Sequence, residues 1–145
     1  MSTTTEDQPS QTYSGHCHCG AHRFTVTVSP PLGAGPKPEN TGVTHCNCSI
    51  CHLQGLRFIY VDHAAVTFTK GGPDGMTPYQ FAKKNIAHRF CPTCGTFVIS
   101  QSVDPDMYPN IRAVNMRCLA EVNVDDLRQD VVDGKKLEPL YKLDD

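Results

Sequence analysis

The sequence predicts a mostly β fold of small antiparallel sheets organised around cysteine-bound metal. Three observations predict this class: short runs in which apolar and polar residues alternate, glycine and proline between these runs, and seven of the eight cysteines gathered in three tight groups. Alternation with a period of two is typical of half-buried strands. The 145 residues suffice for one hydrophobic core, so we predict one domain.

Residues 1–14 are predicted to form a flexible N-terminal tail, and residues 15–145 a single zinc-binding domain. The tail is polar and lacks the basic start and apolar stretch of a signal peptide. No run of the sequence approaches the roughly 20 apolar residues that a membrane-spanning helix needs. We therefore expect a cytoplasmic location, where thiols stay reduced and bind metal rather than forming disulfides.

The charge balance limits the classes of partner. The chain has 13 basic and 15 acidic residues, which gives a formal net charge of -2. Nucleic-acid binding needs a dense basic surface, because contacts with phosphates dominate the affinity. The charge therefore predicts no nucleic-acid partner, and the lack of a membrane-spanning run predicts no membrane partner.

The alternating runs predict the strands in order. In the first, residues 23–28, the apolar Phe24, Val26 and Val28 alternate with Arg23, Thr25 and Thr27. A loop rich in proline and glycine follows at residues 30–42. Further strands are predicted at residues 56–61, 66–69, 79–81, 87–90, 96–100 and 111–115.

Helical signal is scarce. Residues 49–54 are predicted to form a turn or two of helix that ends at Gly55, and residues 123–129 to form another. Cys118 stands apart from the other cysteines, beside Met116 and Leu119. We predict that it is a small buried apolar residue and not a metal ligand.

The other seven cysteines have spacings that are typical of zinc sites. The first group is Cys17 and Cys19, the middle group is Cys46, Cys48 and Cys51, and the third group is Cys91 and Cys94. Zinc prefers four soft ligands in a tetrahedron, and short spacings allow one turn to supply two of them. Gly20 and Gly95 follow two of the groups, which suits a backbone that bends with positive φ around a metal. Small sheets bury limited apolar area, so a bound metal is expected to contribute to folding.

Seven thiolates divide into a closed set of four and an open set of three. We assign the first and third groups to a closed, structural site, because their two-ligand turns complement one another. The middle group then forms an open site, in which three protein ligands leave a position for water or substrate. On this assignment Cys46, Cys48 and Cys51 are the catalytic cysteines.

Two alternatives remain open on spacing alone. In the first, the middle and third groups share a zinc-ribbon-like site; its four ligands would be Cys48, Cys51, Cys91 and Cys94. In the second, both sites are purely structural, and a histidine such as His45 or His52 completes the middle one.

Three segments resemble, in order, the signatures of the glutathione-dependent formaldehyde-activating enzyme (GFA) family, which includes centromere protein V. They are Gly15-His16-Cys17-His18-Cys19-Gly20, His45-Cys46-Asn47-Cys48-Ser49-Ile50-Cys51 and Phe90-Cys91-Pro92-Thr93-Cys94-Gly95-Thr96. The resemblance extends over about residues 15–126. It implies the family's mostly β, Mss4-like (β-tent) fold, with the first and third cysteine groups structural and the middle group catalytic.

The resemblance also implies an activity. The family's named reaction condenses glutathione with formaldehyde to S-(hydroxymethyl)glutathione and is classed as that of a carbon-sulfur lyase. Two zinc ions are the implied cofactors, one structural and one catalytic, and glutathione or a glutathione adduct is the implied substrate. Two other functions stay open: an enzyme of the same scaffold that acts on another electrophile in a biosynthetic or detoxification pathway, and a non-catalytic, zinc-stabilised binding module.

An enzyme that catalyses such a reaction moves protons and binds glutathione, which is a charged tripeptide. His45 and His52 flank the middle group and are candidates for acid-base roles. Four cationic residues are candidates for contacts with the carboxylates of glutathione; they are Arg57, Lys83, Lys84 and Arg89.

Overall fold

The computed structural model describes residues 9–33, 41–136 and 141–143. Residues 1–8 of the predicted tail and residues 34–40 of the predicted loop lie outside the described residues. The strands are β1 Gln11–His16, β2 Arg23–Val28, β3 Val43–Cys46, β4 Phe58–Asp62, β5 Val66–Lys70, β6 Thr77–Tyr79, β7 Ile86–Phe90, β8 Phe97–Ser102, β9 Ile111–Asn115 and β10 Gln129–Val132. The α-helix α1 is Ser49–Gln54. The mostly β class predicted from the sequence is confirmed.

The strands form two sheets. The smaller sheet has the order β1-β2-β5, and the larger sheet has the order β10-β3-β4-β9-β8-β7-β6. The larger sheet has seven strands, more than the alternating runs indicated. It also contains one parallel pair, because β10 returns beside β3 in the same direction. A parallel pair needs a long connection, which here includes most of the chain.

The main hydrophobic core lies between the two sheets. Phe24, Val26 and Val28 point inward from β2, as the period-two alternation predicts. Val114 from the larger sheet and Met116 from the 3-10 turn after β9 belong to the same cluster. Each buried side chain of this size contributes about 1.5–3 kcal/mol relative to exposure. Cys17 and Cys91 belong to the same core and are fully buried. The first and third cysteine groups are therefore anchored in the main core.

Helix α1 begins directly after Cys48 and ends at Gly55. Gly55 has φ 64°, the left-handed conformation that commonly terminates a helix. The prediction for this helix is confirmed residue by residue. The helix predicted at residues 123–129 is wrong in extent: it is a single 3-10 turn, Val124–Asp126, and Gln129 already begins β10. Within the described ranges, every helix is too short or too polar to cross a membrane.

The predicted tail needs a correction at its end. Residues 11–14 belong to β1, which pairs along its whole length with β2 in antiparallel register. Most of its side chains are exposed, so it shows no apolar alternation in the sequence. Backbone pairing with β2, together with a hydrogen bond between the Thr12 and Thr27 hydroxyls at 2.8 Å, places this segment in the smaller sheet.

Candidate metal centre and active site

The first and third cysteine groups meet in space. The sulfur atoms of Cys17, Cys19, Cys91 and Cys94 all lie within 4.8 Å of one another. The Sγ–Sγ distance is 3.7 Å from Cys17 to Cys19 and 3.7 Å from Cys19 to Cys91. A tetrahedron with zinc–sulfur bonds of about 2.3 Å separates neighbouring sulfurs by about 3.8 Å. These four residues therefore fit a zinc ion, and we call them the four-sulfur cluster.

The turns around this cluster position its sulfurs with backbone amides. The N–H of His22 donates to Cys17 Sγ at 3.4 Å, and the N–H of Thr93 donates to Cys91 Sγ at 3.4 Å. Gly20 has φ 78° and Gly95 has φ 80°, so both occupy the left-handed region predicted for them. Amide donors stabilise sulfur as thiolate, the form that binds metal.

The middle group forms a second cluster by itself. The sulfurs of Cys46, Cys48 and Cys51 lie within 4.8 Å of one another, and we call these residues the three-sulfur cluster. Over the described part of the chain, no histidine nitrogen or carboxylate oxygen joins either cluster. The four sulfurs of the zinc-ribbon-like alternative, those of Cys48, Cys51, Cys91 and Cys94, do not form a cluster either. The geometry therefore favours the division into four and three.

Elements of different kinds hold the three sulfurs. Cys46 ends β3, Cys48 occupies the N-cap position of α1, and Cys51 lies within its first turn. The neighbouring Cys51 thiol lowers the pKa of Cys48 to about 5, against the opposing effect of burial. The Cys48 side chain in turn raises the pKa of Cys51, and burial adds to this increase. One of the three thiols is thus readily deprotonated, as a soft metal requires.

A cavity of about 700 Å³ adjoins the three-sulfur cluster. It lies mainly on the face of the larger sheet opposite Ile59 and Val114 of the main core, because residues two apart on a strand share a face. Its sheet wall consists of Phe58, Tyr60, Ile86, His88, Ser100, Gln101, Ser102, Ile111 and Ala113. Its remaining wall consists of the three cysteines with Ile50, Phe81, Met107, Tyr108 and Gly134. This volume is within the range of small-molecule sites.

The segment after β10 closes one side of the three-sulfur cluster. The Asn47 side chain donates to Asp133 Oδ1 at 2.8 Å and accepts from the N–H of Lys135 at 3.1 Å. A Cβ atom added to Gly134 would overlap Cys46 Sγ and lie 3.0 Å from Cys48 Cβ. Gly134 is therefore a residue of the site that the sequence analysis missed. In the sequence, Asp133-Gly134 indicates only a turn.

The histidines chosen from the sequence are not at the cavity. His45 is half-buried on β3 and His52 is exposed on α1, and neither lines it. His88, which the sequence analysis did not select, contributes its ring to the wall instead. Burial lowers the pKa of His88 to about 4, so the ring is neutral at physiological pH. Its Nδ1 atom is enclosed and has no hydrogen-bond partner among the described residues.

The predicted cationic contacts are also absent from the cavity. The side chain of Arg57 bonds to Gln129 at 3.1 Å, and that of Arg89 bonds to the Pro73 carbonyl at 3.3 Å. Neither arginine lines the cavity, and neither do the two lysines proposed with them, Lys83 and Lys84. The prediction for Cys118 is confirmed: it is buried, its Sγ bonds to the Phe97 carbonyl at 3.3 Å, and it joins no cluster.

The fold and the two clusters define a small, mostly β domain whose cysteines could hold two metal ions. A family model described as glutathione-dependent formaldehyde-activating enzyme matches residues 12–131. The chain therefore belongs to this family, as its three cysteine segments indicated. It is also similar to a protein of Rhodobacter sphaeroides of known crystal structure, with 29% identity and a TM-score of 0.60. That match covers 78% of this chain and 93% of the other.

Proposed function

We propose that this chain is a zinc-dependent carbon-sulfur lyase that joins a thiol such as glutathione to an aldehyde such as formaldehyde, and that also catalyses the reverse reaction. One observation carries the proposal: the sulfurs of the three-sulfur cluster form part of the cavity wall, whereas the four-sulfur cluster contributes no residue to it. Membership of the GFA family supports the choice of thiol and aldehyde.

The four-sulfur cluster has a structural role in this proposal. Two of its cysteines are fully buried in the main core, and its two turns join the beginning of the chain to the β7–β8 connection. A closed set of four ligands leaves no position for substrate. All eight cysteines are free thiols in the structure, and a cytoplasmic location would keep them reduced.

The three-sulfur cluster has the catalytic role. A zinc ion held there supplies a soft Lewis acid that favours the deprotonated form of a substrate thiol. Cys46, Cys48 and Cys51 hold one side of the site, and the cavity lies on the other. Ile50 and Phe58 line the cavity beside the cysteines and exclude water from the reacting atoms.

The reaction itself is an addition. The thiol sulfur forms a bond to the aldehyde carbon, the π electrons of the carbonyl move to its oxygen, and that oxygen takes the proton given up by the thiol. His88 is neutral in the cavity wall and can carry this proton. Since Nδ1 is enclosed, we assign proton exchange with the cavity to Nε2. The enclosing wall orients the two reactants, which supplies much of the rate gain.

Stepwise metal removal tests the proposal. A chelator is titrated into the zinc-loaded protein. Zinc release is followed by the absorbance of a zinc indicator, the fold by circular dichroism, and the rate of glutathione–formaldehyde exchange by NMR. We expect the first zinc equivalent to leave from the three-ligand site and turnover to fall at least about 100-fold, with the circular dichroism unchanged. Full turnover after loss of the first equivalent would contradict the catalytic role of the cluster.

Substitution of Gly134 by alanine is expected to weaken metal binding at the three-sulfur cluster about tenfold. The new Cβ atom would push against Cys46 Sγ, and overpacking of this kind costs about 1–3 kcal/mol. Competition with a chromophoric chelator measures the affinity. Gly75→Ala is the matched control, since its Cβ atom would meet only His22 Cε1, at 3.4 Å. Equal affinities of the two variants would show that Gly134 is not a determinant of the site.

A further inference from the structure

Among the described residues, those that line the cavity carry no full charge apart from the thiolates. Within the part of the chain that the structure describes, no arginine, lysine, aspartate or glutamate lines it. Its polar side chains are neutral: the hydroxyls of Ser100 and Ser102, the amide of Gln101, the tyrosine hydroxyls and the uncharged ring of His88. The larger part of the wall is aromatic or aliphatic, with Phe58, Phe81, Ile86 and Ile111 among its members.

These walls do not suit the two reactants named by the family. Glutathione carries two carboxylates and an ammonium group, and enclosing such ions without partners costs several kcal/mol for each. Its charged ends are therefore expected to remain in solvent, with only the sulfur near the cluster. Formaldehyde has a single carbon atom and would leave nearly all of a cavity of about 700 Å³ unfilled. The apolar volume of the cavity therefore suits a substrate with a larger apolar part.

Aromatic side chains from two turns line the part of the cavity that we call its mouth. Phe81 and Tyr108 come from two turns that are joined by a hydrogen bond from Val103 N–H to the Asn85 carbonyl at 2.9 Å. Tyr108 has φ 46°, and Ala82 in the other turn has φ 55°. Left-handed backbone is unfavourable for residues with a side chain and often marks ligand sites. Tyr108 is 77% exposed and lines the cavity, so its ring lies where the cavity meets solvent.

We propose that the carbonyl partner of this enzyme is an apolar aldehyde, aromatic or medium-chain aliphatic, whose hydrocarbon part occupies this cavity. The inference rests on the proposed function and names its substrate class. The aldehyde carbon faces the three-sulfur cluster, and the thiol that attacks it keeps its charged groups outside. The sulfur–carbon bond forms, the carbonyl oxygen receives the thiol proton, and neither reactant is oxidised or reduced.

A substrate series tests the inference on the zinc-loaded full chain. Exchange between glutathione and its aldehyde adduct is measured by NMR with formaldehyde, hexanal and benzaldehyde, each corrected for the uncatalysed rate. Burial of the hydrocarbon part predicts kcat/KM at least about tenfold higher for hexanal and benzaldehyde than for formaldehyde. Binding of benzyl alcohol, an unreactive analogue, is followed separately by calorimetry and by chemical-shift changes.

Variants at the mouth locate the effect. Tyr108→Ala is expected to lower the ratio of kcat/KM for benzaldehyde to that for formaldehyde about tenfold, and Tyr108→Phe to restore it, because the ring and not the hydroxyl makes the contact. Val103→Ala is the matched control: it is an exposed apolar residue of the same turn, and it does not line the cavity. Its ratio is expected to equal that of the unchanged protein.

The outcomes separate the inference from the proposed function. Turnover of formaldehyde that equals or exceeds that of the larger aldehydes, without binding of benzyl alcohol, would overturn the inference and leave the lyase activity in place. Binding of benzyl alcohol that Tyr108→Ala weakens, without turnover of any aldehyde, would overturn the lyase activity and still support an apolar ligand. An unchanged substrate ratio in Tyr108→Ala would also count against the inference.

Discussion

Replacement of Cys48 by serine is expected to reduce turnover at least about 100-fold while the fold remains intact. A serine hydroxyl does not ionise near neutral pH, so the three-sulfur cluster would lose the ligand that is most readily deprotonated. Changes to residues that only support a metal ligand already cost about 10–100-fold, and loss of a ligand should cost more. The loss appears in the NMR exchange rate and in a fall from two zinc ions per chain to one.

The position of Cys48 makes this substitution informative. It occupies the N-cap of α1, where serine is among the preferred residues, so the helix should not be weakened. The circular dichroism spectrum is therefore expected to match that of the unchanged protein. Cys118→Ala is the control, because it removes a thiol outside both clusters and should keep two zinc ions. Retention of turnover by Cys48→Ser would exclude the three-sulfur cluster as the reaction site.

The sequence predicted well the parts of the fold that local chemistry determines. The strand β9, Ile111–Asn115, and the helix α1 with its end at Gly55 were predicted with their observed bounds. The three missed strands share a different property. β1, β3 and β10 carry few buried apolar side chains, and β1 and β10 are edge strands. Their pairing comes from the backbone, which leaves no period-two pattern in the sequence.

The two clusters were likewise divided as predicted, because short spacings and the following glycines are local signals. The cavity was not predictable in this way. Its wall joins α1 and β4 to strands β7, β8 and β9 and to Gly134, which are far apart in the sequence. Only the order of strands in the larger sheet brings them together. His88 was missed for the same reason, since its sequence neighbourhood differs little from that of an ordinary buried strand.

Replacement of Cys19 by alanine is expected to lower the melting temperature by more than about 20 °C, although the side chain is exposed. An exposed cysteine makes little contribution to packing, and substitution of such a residue usually changes stability little. Cys19 nevertheless lies 3.7 Å, sulfur to sulfur, from both Cys17 and Cys91. Its loss would open the four-sulfur cluster, and structural zinc can contribute as much free energy as the whole net stability of a domain.

Comparison with Cys118→Ala separates metal binding from packing. Cys118 is buried in the main core, and burial raises its pKa to about 12, so it behaves as a small apolar residue. Its truncation is expected to cost about 1 kcal/mol, measured by urea denaturation. If stability followed burial alone, Cys118→Ala would be the more damaging change. The four-sulfur cluster predicts the opposite order: Cys19→Ala is the more destabilising of the two substitutions, and it alone loses a zinc ion. The reason is that stability depends there on a metal ligand at the surface and not on a contact in the core.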